Sequence, residues 1–342
     1  MSSRATIYDV AQKAGVSIST VSLALNSPAR VNAATLARVM AAIDDVGFVP
    51  KAEAVMRARR GVGRIGVIAP FTSNPWFARC LNGVLLAARG KRVEIVVYDQ
   101  ESATTSPLVS LPLTRRVDGV IVMAVPLADE VAQRLADQQI ATVLIDQRHP
   151  RFSSIAVDNV AGGRMVAAHL VERGHRRCGF IGHAQHVHEY VLHSQARLDG
   201  FRQGLRAAGL TLDDDDVRVG EHNFETAFQE ALELLGEADR PTAIFTHGDL
   251  LAGGVLAAAR ELGLDVPADL MIVGFDDSDL AKSLGLTSVR RPIEESGELA
   301  LELVLAQLAN PKRSVRETTL SLTLVERETT RMAVAAQDVP TG

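Results

Sequence analysis

Two hydrophobic periods divide this chain. From Thr6 to Asp45 apolar residues recur at helical spacing: Val10 with Ala14, Val21 with Leu25, then Leu36, Val39, Met40 and Ile43. Thr6 followed by Asp9 is a capping-box pattern, in which the hydroxyl accepts an early helical N–H and the acid sits in the first turn. Gly15 ends that helix, Ser17 opens a second, and Asn32 caps a third that runs to about Asp45. Two short helices joined by a glycine turn predict a helix-turn-helix, although an ordinary helical hairpin shares the same period. From Arg64 onward the pattern changes to short aliphatic runs: 65–70, 93–99, 119–125, 141–146, 178–183, 243–247 and 271–276, with amphipathic stretches between them. Near-continuous apolar strands alternating with helices predict parallel sheets covered on both faces. So many units predict two doubly wound subdomains, with ligands beyond the carboxyl ends of the strands.

Composition sets limits on this picture. The chain has 342 residues, 47% apolar and 23% charged, which describes globular domains and excludes a disordered tail. Its net charge of -5 argues against a polyanion partner until the charge is divided along the sequence. Residues 1–60 carry eight bases and four acids, a net of +4, and leave -9 for the rest. A basic head on an acidic body is the asymmetry expected when one end meets nucleic acid. The two cysteines, Cys80 and Cys178, have no metal-ligand or disulfide spacing and read as buried thiols in a reducing compartment. No signal-peptide pattern and no run of about 18 apolar residues is present, so a cytoplasmic location without membrane association is expected.

The segment TIYDVAQKAGVSISTVSLALN, followed by VNAATLARVMAAIDDVGFVP, closely resembles the headpiece of the lactose/galactose repressor family. The resemblance implies DNA contacts from Thr6, Ile7, Tyr8, Ser17, Ile18, Ser19, Thr20, Ser22, Leu23, Asn26, Arg30, Asn32 and Thr35. Among these, Ile18, Ser19 and Leu23 match base-reading positions, and the hydroxyl and amide side chains match phosphate contacts, a division that suits their chemistry. Many members carry arginine where this chain has Leu23. Bidentate guanine readout is thereby replaced by apolar contact with a thymine methyl.

After Pro50 the basic stretch KAEAVMRARRGVG matches the family's hinge, which becomes helical on operator DNA and wedges a leucine into the minor groove. Arg57 stands where that leucine is expected. One reading gives the wedge to Met56, with Ala54 and Arg57 also at the DNA; the other is a solvated basic linker that bends DNA little. Gly61, Gly63 and Gly66 spell G-x-G-x-x-G, but a linker precedes and a strand follows, the reverse of what a dinucleotide site requires.

The body resembles the periplasmic-binding-protein-like effector domain of the same family, carried by RRVDGVIV, VDNVAGGRMVAAHLVERGHRRCGFIG, RLDGF, PTAIF, ADLMIVGFDD and LTSVRRP. The implied layout is a head at 1–47, a hinge at 48–62, an effector and dimerisation domain at 63–333 and a tail at 334–342. Within the body, one subdomain takes about 63–158 with a return near 290–320, and the other takes about 160–288 with the last strand. Effector contacts are implied for Phe71, Asn74, Trp76, Phe77, Asp146, Arg197, Phe224, Asp249 and Asp276. Trp76, the only tryptophan, is either a core aromatic or a flat partner for the C–H face of a sugar. Asp146 and Asp276 end strands where carboxylates can accept from vicinal hydroxyls, and the planar fork of Arg197 can address two neighbouring oxygens.

Two departures stand out. His247-Gly248-Asp249 replaces the common Asn-Asp after PTAIF, removing one amide contact, and Pro107 and Pro112 predict a short or absent second crossover helix. His183, His186, His188 and His193 fit no metal spacing and are expected at the cleft or surface, and Asp213 to Asp216 read as a solvated loop. No metal, cofactor or catalytic group is expected. The sequence therefore predicts a homodimeric, non-enzymatic regulator, most simply a repressor, that binds a palindromic operator under control of a sugar-like effector acting as inducer or corepressor. An extracytoplasmic solute receptor would share the body, but it would need an export signal and no DNA-reading head.

Overall fold

In a computed structural model the described residues are 5–26, 28–46, 48, 63–70, 75–99, 117–183 and 193–331. The N-terminal helices are α1 (Ile7–Ala14), α2 (Ile18–Asn26) and α3 (Ala33–Val46), with a 3-10 turn at Pro28–Arg30. Local chemistry sets their ends. The Asp9 carboxylate accepts from both the backbone N–H and the hydroxyl of Thr6, each at 2.7 Å, so this hydroxyl donates to the acid. Gly15 takes φ 63°, the left-handed conformation that closes a helix at no steric cost to glycine. The Asn32 side-chain carbonyl accepts from the N–H of Thr35 at 2.8 Å and starts α3. Val10, Val21 and Val39 are fully buried in a core that also holds Leu36, Met40 and Ile43.

The described residues form two compact bodies. The first runs to Ala156 and takes Glu294–Thr318; the second holds the residues from Val157 to Ile293 and those from Thr319 onward. In the first, the strands are β1 (Gly63–Ala69), β2 (Val93–Asp99), β3 (Gly119–Met123), β4 (Ala141–Ile145), β5 (Ser153–Val157) and β11 (Glu317–Leu320). Their sheet order is β11-β5-β4-β3-β1-β2, parallel from β5 to β2. The helices are α4 (Pro75–Ala88), α5 (Asp129–Asp137) and α11 (Ile293–Ala309).

The second sheet repeats that order with β6 (Cys178–His183), β7 (Val217–Gly220), β8 (Ala243–Thr246), β9 (Met271–Phe275), β10 (Thr287–Arg290) and β12 (Thr323–Val325). It runs β12-β10-β9-β8-β6-β7, parallel except for the antiparallel edge pair β10 and β12. Its helices are α6 (Asn159–Glu172), α7 (Ser194–Ala207), α8 (Phe224–Leu235), α9 (Asp249–Glu261) and α10 (Asp279–Ser283). Every residue of β3, β4, β8 and β9 is buried, the reason these strands read as unbroken aliphatic runs.

Several strands stop one or two residues earlier than their apolar pattern. Ala124, Asp146 and Asp276 follow β3, β4 and β9 with φ of 49°, 58° and 98°. A left-handed non-glycine residue ends a strand abruptly, and such strain concentrates at ligand-binding edges.

Close helix pairing recurs in both bodies. A Cβ on Gly83 would lie 1.9 Å from the Glu294 carbonyl oxygen, and one on Gly297 would lie 2.0 Å from that of Cys80, so α4 and α11 touch backbone to backbone. The α6/α7 pair repeats this: a Cβ on Gly163 would lie 2.1 Å from the Arg197 carbonyl oxygen, and one on Gly200 would lie 2.0 Å from that of Val160. A Gly163→Ala protein is expected to lose about 3 kcal/mol from overpacking, read as a lower midpoint in urea.

Candidate functional site

The head offers a surface with little structural work to do. Val21, Ala24 and Leu25 point α2 into the core, which leaves Ile18 and Ser19 exposed and Ser22 and Leu23 partly so. Tyr8 is 66% and Ile18 is 41% exposed, so neither side chain is spent on the core of the head. Around the start of α2, the Ser17 hydroxyl pairs with those of Ser19 at 2.7 Å and Thr20 at 2.8 Å and accepts from the Thr20 N–H at 3.1 Å. Helix α2 itself bears no charged residue, so none of its side chains repels a polyanion. Arg30 is exposed, Asn32 spends its side-chain carbonyl on the α3 cap, and Thr6 is tied to Asp9. The side chain of Asn26, together with Ala54, Met56 and Arg57, lies outside the described residues.

A second constellation lies at the carboxyl end of the second sheet. Arg197 on α7 is only 2% exposed; its guanidinium lies 3.6 Å over the Phe275 ring and its Nε donates to the Asn159 side-chain carbonyl at 2.9 Å. It also donates to the His247 carbonyl and lies 3.9 Å from Asp276, whose other cationic neighbour is Arg291 at 3.4 Å. Three imidazoles meet beside it. His183 ends β6, His222 follows β7 and His247 follows β8; their ring centroids are 5.3 Å (183 to 222), 5.6 Å (222 to 247) and 6.1 Å (183 to 247) apart. Burial lowers the pKa of His222 and, with Arg197 and the neighbouring histidines, holds His247 well below the usual histidine value. Among the described residues no group of three or more His, Cys, Asp or Glu side chains is arranged to hold a metal ion.

Other expected contacts fall differently. The carboxylate of Asp249 accepts from the Ser278 N–H at 2.7 Å and the Ser288 hydroxyl at 2.6 Å, which makes it a buried brace between α9 and β10. Burial pushes its pKa up to about 6. Phe77 is 3% exposed on the same face of α4 as Cys80 and Val84, so its ring serves packing; Trp76 beside it is partly exposed. Asp146 is buried at the end of β4, and Phe224 is exposed at the start of α8, next to Gly253 of α9. Asp216 corrects the solvated-loop expectation: it is 1% exposed and accepts a fork of hydrogen bonds from Arg177 at 2.9 and 3.0 Å. Phe71, Asn74, His186, His188 and the 100–116 stretch with Pro107 and Pro112 lie outside the described residues.

The buried histidines give the body an acid limit. His169 on α6 pairs with the Thr330 hydroxyl at 2.8 Å, and burial, reinforced by Arg173, lowers its pKa to about 4. The unfolded chain therefore takes up a proton below about pH 6.5 that the folded one refuses until about pH 4. Stability is fully present above pH 6.5 and is lost as pH falls toward 4. Thermal midpoints should start to drop near pH 6.5 and still be dropping at pH 5, with a shallower decline in His169→Gln.

Comparison with known proteins identifies both domains. Residues 6–51 match the bacterial regulatory proteins of the lacI family, and residues 167–330 match the periplasmic binding protein-like domain. The HTH-type transcriptional repressor PurR of Pectobacterium carotovorum subsp. carotovorum (strain PC1) is 32% identical over 331 residues, covering 94% of this chain and 96% of that one. The HTH-type transcriptional regulator DegA of Bacillus subtilis (strain 168) is 32% identical over 304 residues, 86% of this chain and 88% of that one. Among solved structures, the lac repressor dimer bound to operator and the anti-inducer ONPF aligns with a TM-score of 0.68 at 27% identity, covering 96% of this chain and 99% of that one. The transcriptional regulator CelR in complex with cellobiose aligns with a TM-score of 0.68 at 28% identity, covering 95% and 100%. No helix among the described residues is long and apolar enough to cross a membrane. A helix-turn-helix head joined to a two-sheet binding body, with relatives this similar along almost their whole length, places the chain in the lacI family of bacterial regulatory proteins, as a DNA-binding transcriptional regulator and not an enzyme.

Proposed function

We propose that the chain is a cytoplasmic repressor that binds a palindromic operator as a homodimer and is released from it, or locked onto it, by a small sugar-like effector. The observation that supports the DNA half is the uncharged, outward face of α2, on which Ile18 and Ser19 are exposed and Leu23 partly so; these three are the proposed base readers. The dimeric arrangement rests on the likeness to the operator-bound lac repressor dimer, and the sugar-like effector on the likeness to CelR with cellobiose. The proposed layout keeps a head at 1–47, a hinge at 48–62 with Met56 or Arg57 at the minor groove, a body at 63–333 and a tail at 334–342. Trp76, Asp146, Arg197, Phe224 and Asp276 remain the proposed effector contacts; Asp146 and Asp276 directly follow strands, and Trp76, Arg197 and Phe224 lie in the first turns of helices that follow strands.

Selection of bound sequences from random DNA tests this reading. A two-fold symmetric site is expected, and enrichment of a single asymmetric half-site would remove the dimeric reader. In the same assay Leu23→Arg should acquire a guanine preference at one position of each half-site, worth about 1–3 kcal/mol against other bases.

A further inference from the structure

The geometry points to an effector that carries an acidic group, a carboxylate or phosphate on a polyol, received by His183, His222 and His247 with Arg197 behind them. This inference deepens the effector reading above and rests on it.

The three rings come from three different strand ends and lie within about one ring width of each other. Each is partly exposed, so all three are reachable from solvent. An imidazole offers at least one N–H in either tautomer and two when protonated, so three of them form a donor-rich cup whose positive charge rises on demand. The charges packed around the cup have assigned partners. On α9, Asp249 is taken by Ser278 and Ser288. After β9, Asp276 lies between Arg291 and Arg197. Ahead of α8, Glu221 accepts from the Asn223 amide at 3.1 Å. His193, at the start of α7, adds a further imidazole whose charge would oppose that of His247.

A neutral sugar in a protein pocket is commonly gripped by carboxylates and amides that accept from its hydroxyls. Here Asp249 is committed to Ser278 and Ser288, the charge of Asp276 is offset by Arg197 and Arg291, and the residue after β8 is a histidine. Protonating His247 alone is disfavoured by burial, by Arg197 and by the other rings, and protonating His222 alone by burial and Arg197, partly offset by Asp276. An oxyanion placed among them reverses that balance, so binding draws in a proton. The rings do not converge as metal ligands, which leaves an anion as the occupant that their chemistry fits.

The test uses the full-length protein in thermal-shift titrations at pH 6, 7 and 8. Probes are glucuronate, galacturonate, gluconate and glucose 6-phosphate, set against glucose, galactose and ribose, with Zn2+ alone as a further arm. At least one acid is expected to raise the midpoint where its neutral counterpart does not, with affinity weakening about tenfold per pH unit for each linked proton. Calorimetry of wild type in two buffers of different ionisation enthalpy should then show proton uptake on binding. The H183Q/H222Q protein should bind that acid at least tenfold more weakly and lose the pH slope.

Stabilisation by neutral sugars alone would overturn the acidic class and leave the effector reading standing. An acid that binds without a pH slope or proton uptake, or a response to Zn2+ alone, would also overturn it. Silence from every compound, acid and neutral, would remove the effector reading and this inference with it.

Discussion

Val21→Asp is expected to weaken operator binding by at least 100-fold while leaving the thermal transition of the body in place. Val21 is fully buried on α2 against the single small cluster that holds α1, α2 and α3 together, with Ile7, Val16 and Phe48 packed at its margin. A domain of this size has only a few kcal/mol of stability to lose. An isolated carboxylate in its core costs several kcal/mol, so the head unfolds and takes α2 out of register with the groove. Ile18→Ala separates reading from folding: Ile18 is exposed, so the head should melt normally while operator affinity falls about tenfold, or about 1.4 kcal/mol. Circular dichroism of the isolated transitions, alongside fluorescence anisotropy on a selected site, distinguishes the two variants. Unchanged operator binding in Val21→Asp would mean that α2 is not the reading element.

Arg197→Met carries the second large effect, on the effector side. The guanidinium is almost wholly buried, stacked on Phe275 and bonded to Asn159 and to the His247 carbonyl. Methionine keeps much of the volume and the apolar contact with Phe275, but it strands the Asn159 carbonyl and removes a cation beside Asp276. Removing one partner of a buried, hydrogen-bonded charge typically costs about 3–5 kcal/mol. The body should therefore melt earlier, and effector-induced stabilisation should disappear even at temperatures where the variant is folded. Operator binding measured without effector should stay within about threefold of wild type, because the head does not use Arg197. If the effector response survived in Arg197→Met, the site would have to be moved away from the ends of β6, β8 and β9.

Features governed by neighbours in sequence were legible, and features governed by topology were not. Thr6 with Asp9, Gly15 and Asn32 act over three or four residues, and each places a helix end in the head. The fully buried strands announce themselves because both faces demand aliphatic side chains. Short strands such as β5 (SSIAV), β7 (VRVG) and β10 (TSVR) mix polar residues into four or five positions, and their periodicity is too brief to read.

At the candidate site, the histidines from 183 to 193 form a cluster in sequence, but among the described residues His183 meets the rings of His222 and His247 from neighbouring strand ends. The readable signal is that His183 and His247 end apolar runs, the place where parallel sheets gather their functional groups, whereas His222 follows the unreadable β7. Asp216 is illegible for the complementary reason: its partner Arg177 lies about 40 residues away and converts an apparently solvated acid into a brace. The Ser278 and Ser288 partners of Asp249 are likewise about 30 to 40 residues distant.

Operator affinity measured with and without a stabilising effector tests the central claim most directly. Head and body form one regulator only if ligand and operator prefer different states of the same chain, and linkage then requires each to alter the other's affinity by the same factor. A compound that raises the thermal midpoint of the body should change the dissociation constant for the selected palindrome by about 5-fold to 150-fold, with an equal change in its own affinity when operator is present. Identical operator affinity at saturating effector would contradict the account, leaving a DNA-binding head and a ligand-binding body that share a chain without communicating.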